Sequence, residues 1–172
     1  NFVGSNNVAL LVPCGQFGTR LMGGKDASAT RYIFTKLDPI ARKLFDRRDD
    51  PVLRYLEDDG TQIEPDCFVP VLPMVLINGT EGIGTGFSTF VPPYKPDDVR
   101  ANVARSIRGE EMVPMVPYFN GFKGRVYSTD EGGVWVTEGV YANGVITELP
   151  PGRWTQDHKE FLDGLVEKKV IS

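Results

Sequence analysis

The sequence predicts an α+β fold whose strands pair antiparallel, and three observations lead there. Short β-branched and aromatic runs separated by turn residues fill the stretch from Gly124 to Thr147. Two further runs, Val52–Glu57 and Thr61–Ile63, flank Asp58-Asp59-Gly60, which is hairpin turn chemistry. Amphipathic helical periods bounded by start and stop residues occur at 38–45, 96–107 and 155–166. Nothing repeats at a fixed period and no segment is low in complexity.

Taken in order, Gly4-Ser5-Asn6-Asn7 is turn chemistry ahead of a short apolar strand, Val8–Val12. Pro13 is expected to end that strand because it brings no N–H to a ladder. Residues 15–26 (GQFGTRLMGGKD) form a long loop whose glycines let the backbone approach a ligand, while Phe17, Leu21 and Met22 anchor it. Arg31–Leu37 reads as a strand. Asp38 is placed to cap a short helix with Pro39 at its first position and Ile40, Leu44 and Phe45 on its apolar face. Val69–Phe90 is apolar and then glycine-rich, and Pro92-Pro93 closes it. Lys95-Pro96-Asp97-Asp98 opens a helix with Val99, Val103 and Ile107 on one face, stopped by Gly109. Val126–Ser128, Gly133–Thr137 and Gly144–Thr147 are expected to form one antiparallel meander, ended by Pro150-Pro151-Gly152. Thr155 is expected to cap a last helix carrying Phe161, Leu162, Leu165 and Val166. A boundary is expected near residues 65–75, dividing 1–70 from 71–172.

At 172 residues, 41% hydrophobic and 24% charged, the chain has ordinary globular composition and length for one domain or two small ones. No apolar run approaches the roughly 18 residues a membrane helix needs, and nothing resembles a signal peptide, so no membrane partner is expected. The first residue is Asn rather than Met, which reads as a piece of a longer protein. Cys14 and Cys67 lie far apart with no CxxC and no histidine cluster, so zinc is not expected; both read as free, buried thiols of a reducing compartment. Asn78-Gly79-Thr80 has the form of a glycosylation acceptor but lacks the secretory context.

Charge is unevenly spread. Residues 1–48 hold eight Lys/Arg against three acids, a net +5, which leaves −9 for residues 49–172 of a total of −4. A basic front on an acidic body is the footprint of a face that meets a polyanion, or else ordinary solvated charge.

Three constellations invite chemistry and are set aside. Gly79-x-x-Gly82-x-Gly84-x-Gly86 follows an apolar run, but a dinucleotide fingerprint from Gly82 needs glycine where Phe87 stands, and a P-loop needs Gly-Lys-Ser/Thr. The alternative is a tight glycine-supported turn that projects one apolar side chain, Ile83. His158, the single histidine, sits in a charged helical segment and reads as a solvated surface residue. Asp49-Asp50, Asp97-Asp98 and Glu110-Glu111 are sequence neighbours, which do not converge on one helix face, and no metal site is expected in this chain. Arg31-Tyr32 is different. A phenol with a pKa near 10 is a weak nucleophile at neutral pH, but it can attack a phosphodiester where a cation stabilises the developing charge. Arg31, directly adjacent, suits that role, and Gly-Gly-Lys precedes the pair. Ordinary packing of Tyr32 is the competing reading.

The stretches NFVGSNN, PCGQFGTRLMGGKDASATRYIFTKL, PMVLINGTEGIGTGFSTFVPP and ITELPPGRWTQDHKEFL resemble type IIA DNA topoisomerases, specifically the eukaryotic type II enzyme and its viral relatives. The likeness spans nearly the whole chain through long, specific motifs. It implies the C-terminal part of a winged-helix domain at 1–70, followed by part of a mixed α/β tower domain with an antiparallel sheet at 71–172. It implies that Tyr32 is the nucleophile, forming a 5′-phosphotyrosyl bond and leaving a 3′-hydroxyl, and that Arg31 holds the scissile phosphate. Ile83 matches the wedge between base pairs of the bent DNA, a known use of apolar side chains. Gln16, Arg20 and Lys25 fall in matching motifs as DNA-proximal or site-supporting residues. Thr30 and Phe87 depart from the residues common at their positions without removing a catalytic group.

The resemblance also implies Mg²⁺ and ATP for the full-length enzyme, both held outside this chain, double-stranded DNA as partner, and a homodimer that shares its active sites. The chain alone is expected to be inactive in strand passage. A nuclear location follows for a cellular protein, and host cytoplasm or virion for a viral one. The competing function is a non-catalytic DNA-binding scaffold of the same fold; a mononucleotide-binding domain ranks last.

Overall fold

Local turn chemistry sets most of this architecture. The computed structural model describes residues 2–129 and 133–171; Asn1, at the head of the NFVGSNN motif, lies outside them. The strands form antiparallel two-stranded ribbons joined by short helices, a mixed α+β arrangement. The order is β1 (Leu11–Cys14), β2 (Phe34–Leu37), α1 (Ala41–Leu44), β3 (Tyr55–Asp58), β4 (Thr61–Pro65), α2 (Met74–Ile77), β5 (Thr80–Gly84) and β6 (Phe87–Val91). Then come α3 (Pro96–Ile107), β7 (Arg125–Thr129), β8 (Val134–Glu138), β9 (Val140–Ala142), β10 (Val145–Glu148) and α4 (Thr155–Glu167).

The β1–β2 ribbon corrects the first strand expectation. The strand runs from Leu11 through Pro13 to Cys14, rather than from Val8 to Val12. Asp38 N donates to Leu10 O at 2.9 Å, and the register pairs Val12 with Lys36 and Pro13 with Thr35. Counting two residues along from the Leu10–Asp38 bond puts Pro13 at a non-hydrogen-bonded site, where its missing N–H costs the ladder nothing. The second strand begins at Phe34; Thr30–Tyr32 is a 3₁₀ turn, so Arg31 and Tyr32 lie before the strand and not in it.

Asp38 does organise α1, its Oδ1 accepting from Ile40 N at 2.9 Å. Ala41 and Leu44 are buried, and the Phe45 ring meets Phe68 edge-on at 5.8 Å. The β3–β4 hairpin turns through Asp59 and Gly60, both at positive φ (46° and 73°), the geometry of a two-residue primed turn. Its first strand starts at Tyr55 because Asp50–Val52 forms a 3₁₀ turn. The glycine-rich run is the β5–β6 hairpin, closed by Gly86 at φ 84°.

Ile77 and Val99, each 1% exposed, mark the tightest packing, between α2 and α3. Ile107, expected on the buried face of α3, is exposed at the last turn. The expected meander is two separate hairpins among the described residues, β7–β8 and β9–β10, with β9 an added three-residue strand. Thr155 is the first residue of α4, and the capping position belongs to Trp154. Cys14 and Cys67 are free but exposed, not buried.

Two asparagines stitch distant segments together. Asn7 Nδ2 donates to Ile77 O, Tyr94 O and Tyr118 O at 2.9, 3.0 and 2.9 Å, and its Oδ1 accepts from Asn120 N at 2.9 Å. Asn78 takes a bond from Val8 N at 2.9 Å and gives one to Val8 O at 2.8 Å, so the acceptor asparagine of the sequon serves the fold.

Candidate functional site

Tyr32 stands at a joint. The 3₁₀ turn is held by Tyr32 N donating to Ala29 O at 2.9 Å, and the backbone then becomes extended at Ile33 (φ −122°, ψ 150°). This change of direction leaves the phenol 67% exposed, and among the described residues no hydrogen bond engages its hydroxyl. The Arg31 guanidinium carbon lies 5.0 Å from the centre of the Tyr32 ring, close enough for a cation–π contact. Gly15, at φ 113°, packs against the next residue, Ile33; a Cβ there would come within 2.9 Å of Ile33 Cγ2. The joint is therefore backed by a glycine that nothing larger replaces without movement.

The loop from Gly15 to Ser28 leads into this joint and is ordered by its own polar groups. Asp26 accepts from Thr19 N at 2.8 Å and from the Thr19 hydroxyl at 2.6 Å. These two bonds, the hydroxyl first, hold the Asp26 carboxyl below the usual carboxylate range. Gln16 Nε2 reaches the same carboxylate at 3.5 Å, and Ser28 N donates to Gln16 O at 2.9 Å. Arg20 pairs with Glu148 and donates to Leu149 O at 3.0 Å. Lys25 Nζ lies 3.2 Å from Asp157 on α4. Gln16, Arg20 and Lys25 thus spend their polar groups on the chain itself.

The remaining cations of the basic front are not so occupied. Among the described residues, no ion pair engages Arg31, Lys36, Arg42, Lys43 or Arg47, whereas Arg48 is held by Asp46 at 2.6 Å. That pairing brings the Asp46 carboxyl down to about 2, chiefly through the Arg48 side chain. The other acid of this segment, Asp38, caps α1. Positive charge on β2, on α1 and just beyond is therefore left uncompensated beside Tyr32.

Ile83 sits near the tip of the β5–β6 hairpin and is 90% exposed. The register sets it opposite Ser88 and sets Gly84 opposite Phe87, so Ile83 and Phe87 project from opposite faces. An isoleucine with no intrachain packing to explain it is a ready apolar wedge. Among the described residues no three His, Cys, Asp or Glu side chains converge where they could hold a metal ion, so no step is assigned to a metal on this chain. His158 is not the solvated residue expected: its Nε2 is buried without a partner and its ring lies 6.2 Å from Phe161.

Glu148, Trp154 and Asn7 escaped sequence reasoning. Glu148 is 7% exposed, and the Trp154 ring packs edge-on to Phe2 at 5.4 Å while its indole closes over Gly23. The signal that could have found Glu148 is an acid inside an otherwise β-patterned run; its partner lies too far along the chain to be inferred.

A family model described as DNA gyrase/topoisomerase IV matches residues 1–172. The chain is 53% identical over 173 residues to a DNA topoisomerase 2 of Arabidopsis thaliana, covering 96% of this chain and 12% of that protein. It is 48% identical over 176 residues to a mitochondrial DNA topoisomerase 2 of Dictyostelium discoideum, covering 99% and 14%. The crystal structure of the Plasmodium falciparum topoisomerase II DNA-binding, cleavage and re-ligation domain matches with a TM-score of 0.88 at 51% identity, covering 96% of this chain and 23% of that one. The chain thus spans about an eighth of the length of these relatives.

Proposed function

The chain belongs to the DNA gyrase/topoisomerase IV family, and on that footing we propose that it forms part of the DNA breakage–reunion core of a type IIA topoisomerase, with Tyr32 as nucleophile. The Tyr32 phenol oxygen attacks a backbone phosphorus. The new phosphorus–oxygen bond to tyrosine forms as the bond to the 3′ oxygen breaks. The 3′ oxygen leaves as a hydroxyl, the phenolic proton passes to solvent or to a group outside the described residues, and a 5′-phosphotyrosyl bond remains. Attack by the 3′-hydroxyl reverses the step, so the exchange conserves the phosphodiester and needs no external energy.

Arg31 offers a planar set of donors to the phosphate oxygens, suited to the charge that develops on them. Ile83 serves as the wedge that opens a base step and bends the duplex. Gln16, Arg20 and Lys25 act as site-supporting residues, in keeping with their intrachain partners. In this reading residues 1–70 are the C-terminal part of a winged-helix domain and 71–172 part of a tower domain. Mg²⁺ and ATP are bound elsewhere in the full-length protein, the working form is a homodimer with shared active sites, and strand passage needs that whole assembly. A nuclear location is proposed. The mitochondrial relative makes an organelle the other candidate, and relatives from cellular organisms give a virion or host-cytoplasm location no support.

One observation carries the proposal: an exposed tyrosine under an adjacent guanidinium, in a segment whose other cations have no intrachain acid among the described residues. In the full-length protein, Tyr32→Phe is expected to remove covalent protein–DNA adducts, at least a ~1000-fold loss, while DNA affinity stays within a few-fold. Adducts that persist in that variant would overturn the nucleophile and leave the non-catalytic scaffold as the better reading.

A further inference from the structure

We propose that residues 148–157 brace the loop that presents Tyr32, with Glu148 and Trp154 as positioning residues and Arg20 as the arm they hold; this rests on Tyr32 being the nucleophile. Four separate contacts tie the two segments, and they follow one another along the loop. Arg20 pairs with Glu148 and also donates to Leu149 O at 3.0 Å. Leu21 O accepts from Gln156 N at 3.1 Å. Gly23, at φ 61°, lies so close under the Trp154 indole that a Cβ would overlap it. Lys25 meets Asp157 at 3.2 Å.

Glu148 is the fixed end. Its side chain is buried on β10, away from water that could solvate the carboxylate, and its charge is matched by Arg20 alone among the described residues. Arg20 is half exposed, so it lies within reach of a phosphate, yet leaving Glu148 would strand a buried charge. The arm is therefore committed to the brace and not to DNA. The same loop begins at Gly15, whose contact with Ile33 backs the joint that carries Tyr32. A shift of residues 148–157 relative to the loop reaches the phenol through that contact. Displacing an attacking atom by about 1 Å costs on the order of 100-fold in rate without touching ground-state binding.

The test uses the full-length protein, measuring the rate of covalent adduct formation, DNA affinity and the salt dependence of binding. Glu148→Gln and Arg20→Met are each expected to slow adduct formation roughly 10- to 100-fold, with affinity and salt slope unchanged. The double variant should be no slower than either single one, and the exchange Arg20→Glu with Glu148→Arg should recover part of the rate. The exposed pair, Lys25→Met and Asp157→Asn, should show a smaller, equally non-additive loss, which keeps the test open if Glu148→Gln fails to fold. Arg20→Met flattening the salt slope by about 0.9, as loss of one phosphate contact does, or the two single effects multiplying, would overturn the brace. Tyr32→Phe run alongside separates the two readings. Adducts surviving there overturn the nucleophile and the brace's function with it; adducts lost there but formed at full rate by Glu148→Gln overturn the brace alone.

Discussion

Tyr32 owes its exposure to two neighbours that leave it room. The 3₁₀ turn ends at its own peptide, and Gly15 takes the space behind Ile33, so the ring has Arg31 on its face and solvent elsewhere. Gly15→Ala puts a Cβ against Ile33 at a φ of 113°, a conformation that side chains rarely adopt. It is expected to slow adduct formation about 10-fold or more, while the melting temperature moves little because the joint is at the surface. A large drop in melting temperature with an unchanged cleavage rate would show that Gly15 serves stability instead. Ile83 makes the opposite case, a large apolar side chain with nothing to pack on. Ile83→Ala should leave stability within about 0.5 kcal/mol, as for other surface sites. If the side chain enters the duplex, its burial of roughly 2 kcal/mol is lost, and affinity falls about 10- to 30-fold together with the bend measured by fluorescence transfer. Unchanged bending would remove the wedge from the account.

The loop of residues 15–28 is a self-contained element, with the Asp26 carboxylate at its centre. Because Thr19 lowers the pKa of Asp26 in the folded chain, the carboxylate's contribution is complete above its unfolded value of about 3.9. It fades as pH falls through the lower folded value. Carboxyl NMR should place the Asp26 midpoint below that of an unstructured aspartate, and Thr19→Val should return it towards the ordinary range. A midpoint that ignores Thr19→Val would contradict the bonding. Elements of this local kind are legible in the sequence. Asp59-Gly60 dictates its hairpin, Asp38 organises α1, and the Gly79–Gly86 run forms a glycine-supported turn. Pro13 misleads because the cost of its missing N–H depends on the ladder register, which the partner strand sets. Arg31 and Tyr32 read as strand because a β-branched and aromatic run continues from them; the turn is set by tertiary packing around Gly15 and Ile33. Glu148 cannot be paired with Arg20 from sequence, since 128 positions separate them.

At the scale of the molecule, surface and charge are the telling quantities. The chain exposes 12952 Å², against roughly 8,400 Å² for a compact monomer of its mass. Phe34, Phe87, Phe90, Phe161 and Val170 are among the large apolar side chains left in the open. Such a chain buries little of what stabilises a domain. The isolated 172 residues are expected to melt with well under half of the ~120 kcal/mol that this length would give a fully packed protein. A sharp calorimetric transition of full enthalpy would contradict that. The uncompensated cations at Arg31, Lys36, Arg42, Lys43 and Arg47 predict a second property. In the full-length protein, Lys36→Met or Arg42→Met should flatten the slope of log affinity against log salt by about 0.9 each, with little sequence dependence. Slopes unchanged in both would mean that this face does not meet DNA.

The central claim is that the covalent bond to DNA forms at Tyr32, and mapping the linkage tests it most directly. Adducts formed by the full-length protein would be trapped, digested with nuclease and then with trypsin, which cuts after Arg31 and Lys36, and sequenced by mass spectrometry. The account predicts a nucleotide joined through its 5′-phosphate to the phenol of Tyr32 in the five-residue peptide YIFTK. A nucleotide on any other residue, or one joined through its 3′-phosphate, would contradict it.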